Sequence, residues 1–154
     1  MFWVRVDNRL IHGQVIENWI PFTGTRTLIV INDELAKDSL RQEIMGLAVP
    51  QGIEILFSQV GDSVDLIRKK FDDHLSSLFI LFSRCADARQ AFEKGLEFKS
   101  LNIGNLHYGP GKKQICSHIA LSRDDRTCLN YFNKKGVDLD FRCVPHKQIL
   151  VDKW

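Results

Sequence analysis

Seven short runs of β-branched, aliphatic and aromatic residues punctuate the chain: Met1–Val6, Thr27–Ile31, Ile53–Phe57, Leu78–Phe82, Ser100–Ile103, Ser117–Leu121 and Asp138–Val144. Most are continuous rather than alternating, the pattern of strands buried on both faces. Between them, apolar positions recur at helical spacing. Ile11, Val15, Ile16 and Trp19 mark a helix over His12–Trp19. Leu40, Ile44, Leu47 and Ala48 share one face of a second over Lys37–Ala48, which stops before Pro50 and Gly52. Val64, Ile67 and Phe71 mark a third over Val60–Phe71. Ala88, Ala91 and Phe92 mark a fourth over Ala86–Lys94, with Gly95 placed to close it. Ser122-Arg-Asp-Asp125 is an N-cap signature with Asp in place of Glu or Gln, opening a fifth helix that ends near Gly136.

Strands alternating with helices of this length predict βαβ units and an α/β fold: a doubly wound, mostly parallel sheet of about seven strands with helices on both faces. Such sheets bind ligands beyond the carboxyl ends of their strands, where strand order reverses. The segments that follow each run are therefore where chemistry is expected.

Composition narrows the function classes. The 154 residues contain no apparent linker or repeat, so residues 1–154 read as one domain. With 44% hydrophobic and 26% charged residues, the chain is neither disordered nor of low complexity. Lys+Arg 21 against Asp+Glu 19 leaves a net charge of +2 without a basic stripe, so no nucleic-acid partner is expected. The longest apolar run, Leu78–Phe82, is far shorter than a membrane helix, and the first residues do not resemble a signal peptide. Cys85, Cys116, Cys128 and Cys143 form no CxxC pair and read as reduced core thiols, which favours a cytoplasmic location.

The segment with most chemical promise is Asp7-Asn8-Arg9-Leu10-Ile11-His12-Gly13-Gln14, between the first strand and the first helix. It sets an imidazole at a helix N-terminus, where unpaired N–H groups and the helix dipole favour an anion. Arg9 offers a guanidinium fork to phosphate or carboxylate. Asp7 can hydrogen-bond one ring nitrogen and leave the other with its lone pair, and Gly13 lets backbone approach a group carried on the ring. These are the parts of a nucleophilic histidine that accepts a phosphoryl group. The same residues also suit an ordinary loop whose His packs locally and whose Arg and Asp pair at the surface.

Arg5-Val6-Asp7-Asn8-Arg9-Leu10-Ile11-His12-Gly13-Gln14-Val15, followed by Trp19, resembles the signature of the IIB component of the mannose/fructose/sorbose family of bacterial sugar phosphotransferase systems. Val30-Ile31-Asn32-Asp33-Glu34, Leu101-Asn102-Ile103-Gly104-Asn105 and Val144-Pro145 match in the same register, so the resemblance spans essentially the whole chain. It implies a phosphocarrier whose histidine, here His12, takes a phosphoryl group from a phosphohistidine of a IIA component. The group then passes to a sugar entering through membrane IIC and IID components, so membrane contact is peripheral and made only through partners. Arg9 and Asp7 match positions that hold the phosphate and orient the ring, with Gly13, Gln14 and Asn8 around the phosphate. Asn32, Asp33, Asn105 and His107 border the site. Arg5 ends a buried strand, where pairing with Asp7 or Asp33 is as good an expectation as phosphate contact. Histidine-to-histidine transfer exchanges similar P–N bonds, so no cofactor and no metal are expected.

Two departures from the family pattern stand out. Asn8 replaces a common Asp, and His107 replaces a common Gly within Asn105–Lys113. The alternative is a regulatory interaction module of the same fold, in which phosphorylated His12 signals sugar flux without transport. Other segments carry less. Cys116-x-His118 places both side chains on one strand face as core packing, Lys112 and Lys113 form a solvated turn or docking surface, and His74 and His146 have no assigned role.

Overall fold

The computed structural model describes residues 2–72, 77–149, 151, 153 and 154. His74 lies outside the described residues. Six strands form one sheet in the order β3-β2-β4-β1-β5-β8: β1 (Phe2–Val6), β2 (Thr27–Ile31), β3 (Glu54–Ser58), β4 (Leu78–Phe82), β5 (Ser100–Ile103) and β8 (Asp138–Asp140). Every neighbouring pair is parallel, and β1 lies inside the sheet between β4 and β5. The strands over β2, β4 and β5 keep the bounds their apolar runs predict. The run over Ser117–Leu121 does not supply a seventh sheet strand. It contributes β7 (Ile119–Leu121), which pairs antiparallel with β6 (Lys113–Cys116) in a separate hairpin, joined to the β5 loop by a bridge between Leu106 and Ile119. Likewise the strand within the last run stops at Asp140, and beyond it the Arg142 and Cys143 carbonyls accept from the Arg5 guanidinium.

Side chains alternate between two apolar layers, as a pleated sheet requires. Val4, Val6, Ile29, Ile31, Ile80 and Ile103 face α3 (Ser63–Asp72), α4 (Cys85–Glu93) and α5 (Arg123–Lys134). Leu28, Val30, Phe79 and Leu81 face the opposite layer, built by Val15, Trp19 and Ile20. There the helix entered at Gly13 is π-wound over Val15–Trp19 and ends in an α-turn, α1 (Ile20–Thr23), closed by Gly24 at φ 62°. Helices thus cover both faces and the sheet is doubly wound.

Helix α2 (Ser39–Leu47) departs from the expected packing. Its Leu40, Ile44 and Leu47 are 66, 60 and 87% exposed, while Met45 and the following Val49 pack on the sheet. The apolar periodicity is real, but the helix is rotated so that this stripe faces outward. Cys85 and Cys128 correct the reduced-thiol reading. They are joined in a disulfide between α4 and α5, with Cα atoms 6.2 Å apart, and Cys116 and Cys143 remain free.

At the start of α5, the Ser122 hydroxyl accepts from the Asp125 amide at 3.0 Å, and the Asp125 carboxylate accepts from the Ser122 amide at 2.9 Å. This is the capping box anticipated from Ser122-Arg-Asp-Asp125. Ser122→Ala is expected to lower unfolding free energy by about 1 kcal/mol in a urea titration, without changing the slope.

Candidate functional site

A charged residue in the middle of a buried strand has to be partnered. Arg5 is fully buried on β1, and its side chain projects to the layer of Trp19 rather than that of Val4 and Val6. Its Nη2 and Nε donate to Asp7 Oδ2 at 2.8 and 3.1 Å. Nη1 donates to Asn102 Oδ1 and weakly to the Arg142 carbonyl, and Nη2 to the Cys143 carbonyl at 3.3 Å. The guanidinium lies 5.1 Å from the centre of the Trp19 ring, whose Nε1 donates to the same Cys143 carbonyl at 2.9 Å. Gly104 leaves space for this arrangement, since a Cβ there would overlap the guanidinium.

Asp7 is the hub that results. Besides Arg5, its Oδ2 accepts from Asn105 Nδ2 at 3.0 Å and lies 2.9 Å from His12 Nε2; its Oδ1 accepts from the Arg9 amide at 3.0 Å. Burial alone would raise the Asp7 pKa. The His12 hydrogen bond, the Arg5 charge and the Asn105 amide outweigh it and bring the carboxyl down to about 2. Conversely, burial pushes the Arg5 pKa down, with Asp7 opposing the shift. An ionised Asp7 fixes the tautomer of His12: Nε2 carries the proton donated to Oδ2, and Nδ1 keeps its lone pair. The imidazole is only 8% exposed, so water screens this contact little.

Between Asp7 and His12 the chain makes a tight turn in which the Leu10 amide donates to the Asp7 carbonyl at 3.0 Å. Leu10 itself sits at φ 54°, a left-handed conformation that a branched aliphatic residue adopts only when its surroundings demand it. Its buried side chain in the Trp19 layer supplies that demand and turns His12 back over the strand end. The π-wound segment that follows is a further local irregularity of the kind found at functional sites.

The remaining sequence-predicted residues fall into distinct places. Asn8 ties three loops: its Nδ2 donates to the Ser83 carbonyl at 2.8 Å, its Oδ1 accepts from the His107 amide at 2.8 Å, and its own amide donates to the Asn105 carbonyl. Gln14 Oε1 accepts from Asn105 Nδ2 at 3.0 Å. Gly13 is exposed, and a Cβ there would meet the Glu17 carboxylate in ordinary contact at 3.8 Å. Arg9 is exposed, and its guanidinium has no protein partner among the described residues. Asn105 Nδ2 lies 3.0 Å from Asp7 Oδ2 and 3.4 Å from His12 Nε2, and the His107 amide donates to Asn8 Oδ1. Asn32 holds Ser83 Oγ and the Leu35 amide, and Asp33 accepts from the Val60 amide. Cys116 and His118 are not on one strand face as expected, because the hairpin turns between them; Sγ and Nδ1 are 3.5 Å apart. Sequence reasoning left Arg5 open and passed over Asn102, although a polar residue inside each of two otherwise apolar strand runs was the available signal.

A parallel α/β sheet with a tautomerically fixed histidine on the loop after its inner strand defines a ligand-handling α/β domain with its site at the strand ends. The relationships of the chain make this specific. Residues 1–151 match the family described as PTS system sorbose subfamily IIB component, and the chain belongs to that family. It is 33% identical over 145 residues to the N-acetylgalactosamine-specific phosphotransferase enzyme IIB component 1 of Escherichia coli K12, covering 94% of this chain and 90% of that one. It is 29% identical to the mannose-specific EIIAB component of the same strain, covering 91% of this chain but 43% of that longer protein. The crystal structure of the IIBSor domain of the Klebsiella pneumoniae sorbose permease superposes with a TM-score of 0.89, at 28% identity, over 98% of this chain and 93% of that one. The chain is therefore a sugar-specific IIB component, with a phosphotransferase role in a sugar phosphotransferase system. No described helix is long and apolar enough to cross a membrane.

The depressed Asp7 pKa links the site to stability. Its folded value of about 2 lies below the roughly 3.9 of an unfolded Asp, so its ionised form stabilises the fold above pH 4 and that contribution is lost as pH falls from 4 to 2. The expected loss is about 2 kcal/mol. Urea titrations across this range should show a steeper fall for the native chain than for Asp7→Asn, whose amide cannot titrate.

Proposed function

We propose that this chain is a cytoplasmic phosphocarrier, acting over residues 1–154 as one IIB domain. In this reading His12 accepts a phosphoryl group from a phosphohistidine of a IIA component and passes it to a sugar presented by membrane IIC and IID components. The observation that carries the reading is the 2.9 Å contact of Asp7 Oδ2 with His12 Nε2, which leaves Nδ1 as the nucleophile. The IIA partnership is supported by the mannose-specific EIIAB relative. Relatives named for N-acetylgalactosamine, sorbose and mannose support a hexose or an amino derivative of one as the sugar.

The transfer follows from the geometry. In the first step the Nδ1 lone pair attacks phosphorus as the donor's P–N bond breaks, and the departing electron pair stays on the donor imidazole. The ring becomes a cation with Nε2–H on Asp7, whose fixed negative charge stabilises it. In the second step a sugar hydroxyl oxygen attacks from the opposite side of phosphorus, the P–N pair returns to Nδ1 to restore the neutral ring, and the hydroxyl proton passes to solvent. Arg9 and the first-turn amides around Gly13 face the charge on the equatorial oxygens. Asn8 and Gln14 shape the loop rather than contact the phosphoryl group through their side chains, which are engaged elsewhere.

Incubation with phosphoenolpyruvate, the general phosphotransferase proteins and an active mannose-type IIA should add one acid-labile phosphate, seen by intact-mass spectrometry at alkaline pH. Phosphorus NMR should assign it to Nδ1, and His12→Ala should carry none; phosphate at Nε2 would refute the Asp7 argument. Arg9→Ala is expected to slow acceptance roughly 100-fold while changing IIA affinity by less than about threefold, read by rapid-quench transfer of labelled phosphate and by calorimetry. A binding loss equal to the rate loss would remove Arg9 from transition-state stabilisation.

A further inference from the structure

The hairpin that replaces the expected seventh sheet strand stands over the β5 loop, and a cavity of about 190 Å³ lies between them and the His12 loop. Its floor is apolar and buried: Leu106, Ile119 and Ala120. The walls are anchored by backbone bonds. The Leu106 amide donates to the His118 carbonyl at 3.0 Å, the Ala120 amide to the Leu106 carbonyl at 2.8 Å, and Asn8 holds the His107 amide. Arg9 and Asn105 form the end next to His12, and Asn105 also touches Asp7.

The polar groups on the walls have an unusual character for a phosphate-handling protein. The side-chain polar atoms of His107, Tyr108 and Ser117 have no protein partner among the described residues, and Gln114 uses only its Nε2, on the Cys116 carbonyl. Beyond Arg9 the lining holds no lysine and no acid. His118 is committed to the Phe141 carbonyl at 3.2 Å, and burial lowers its pKa, so it does not add a second fixed cation. Cationic character is therefore concentrated at the His12 end. The rest offers groups that both donate and accept, an exposed aromatic wall at Tyr108 and narrow apolar contacts from Leu106, Ile119 and Ala120. Hydroxyls on one edge and C–H groups on the faces are the surface of a pyranose. The volume falls below the roughly 300–1,000 Å³ of sites for drug-sized ligands and suits one ring.

We propose that this cavity is a subsite for the ring of the acceptor hexopyranose, with Gln114 and Ser117 holding ring hydroxyls and Tyr108 covering a face. The sugar's exocyclic hydroxymethyl oxygen then points past Arg9 toward His12. The subsite rests on the phosphocarrier reading and deepens it: IIB itself reads part of the sugar instead of leaving recognition wholly to membrane partners.

Nitrogen–proton NMR of the unphosphorylated chain, titrated with glucose, galactose, mannose and their 2-acetamido forms, tests this, with inorganic phosphate as a separate arm. At least one sugar should give saturable shifts over residues 105–120, half-complete at millimolar concentration. Gln114→Ala combined with Ser117→Ala, both at exposed positions whose loss leaves the remaining spectrum as the fold control, should weaken that response at least about fivefold. Absence of a saturable response to any of these sugars, an undiminished response in the double variant, or displacement of the sugar by phosphate from Gln114 and Ser117 would overturn the subsite. The same samples are assayed for His12 phosphorylation. Phosphorylation without a sugar response removes the subsite alone, whereas absent phosphorylation with an active IIA removes the phosphocarrier reading.

Discussion

The buried ion pair between Arg5 and Asp7 is the constraint on which the site depends. Each charge would be costly alone in the interior, and each is made tolerable by the other together with additional partners. Arg5 takes Asn102, two carbonyls from the segment after β8 and the Trp19 face. Asp7 takes Asn105, the Arg9 amide and His12. The pair thus ties β1, β5 and the chain beyond β8 into one polar knot beneath an apolar helix, and Gly104 is small because the knot occupies its side-chain space.

From that knot the chemistry of His12 follows. A carboxylate held ionised by its His12 hydrogen bond, the Arg5 charge and the Asn105 amide selects one tautomer, and the left-handed Leu10 delivers the ring to the carboxylate. Nearby, Cys143 contributes its backbone carbonyl rather than its thiol: burial raises the thiol pKa, with the Arg5 charge and a Gln14 hydrogen bond pulling against it. Orientation and charge compensation for the proposed transfer come from side chains already locked together.

How much of this the sequence disclosed depends on the range of the interactions concerned. β2, β4 and β5 were readable to the residue because continuous apolar runs have one use inside a parallel sheet. The 2.9 Å approach of Asp7 to His12 was open to a sequence reading because the two lie five residues apart on one loop. The hairpin was misread as a sheet strand, since Ser117–Leu121 has strand composition and nothing local says which neighbour it pairs with. Leu40, Ile44 and Leu47 show a helical period that reports a face but not its direction. The role of Arg5 needed Asn102 and the Arg142 and Cys143 carbonyls, which lie far along the chain and meet it only through the sheet order.

That sheet order has a further consequence for biogenesis. β1 is made first, yet both of its neighbours, β4 and β5, come much later, and Arg5 is enclosed only when the chain beyond β8 has arrived. A nascent chain therefore holds His12 before the partners that fix the Asp7 carboxylate beside it have arrived. Closing these long loops is the slow part of folding for such topologies. The Arg5–Asp7–His12 arrangement is thus completed late, and incomplete chains lack it.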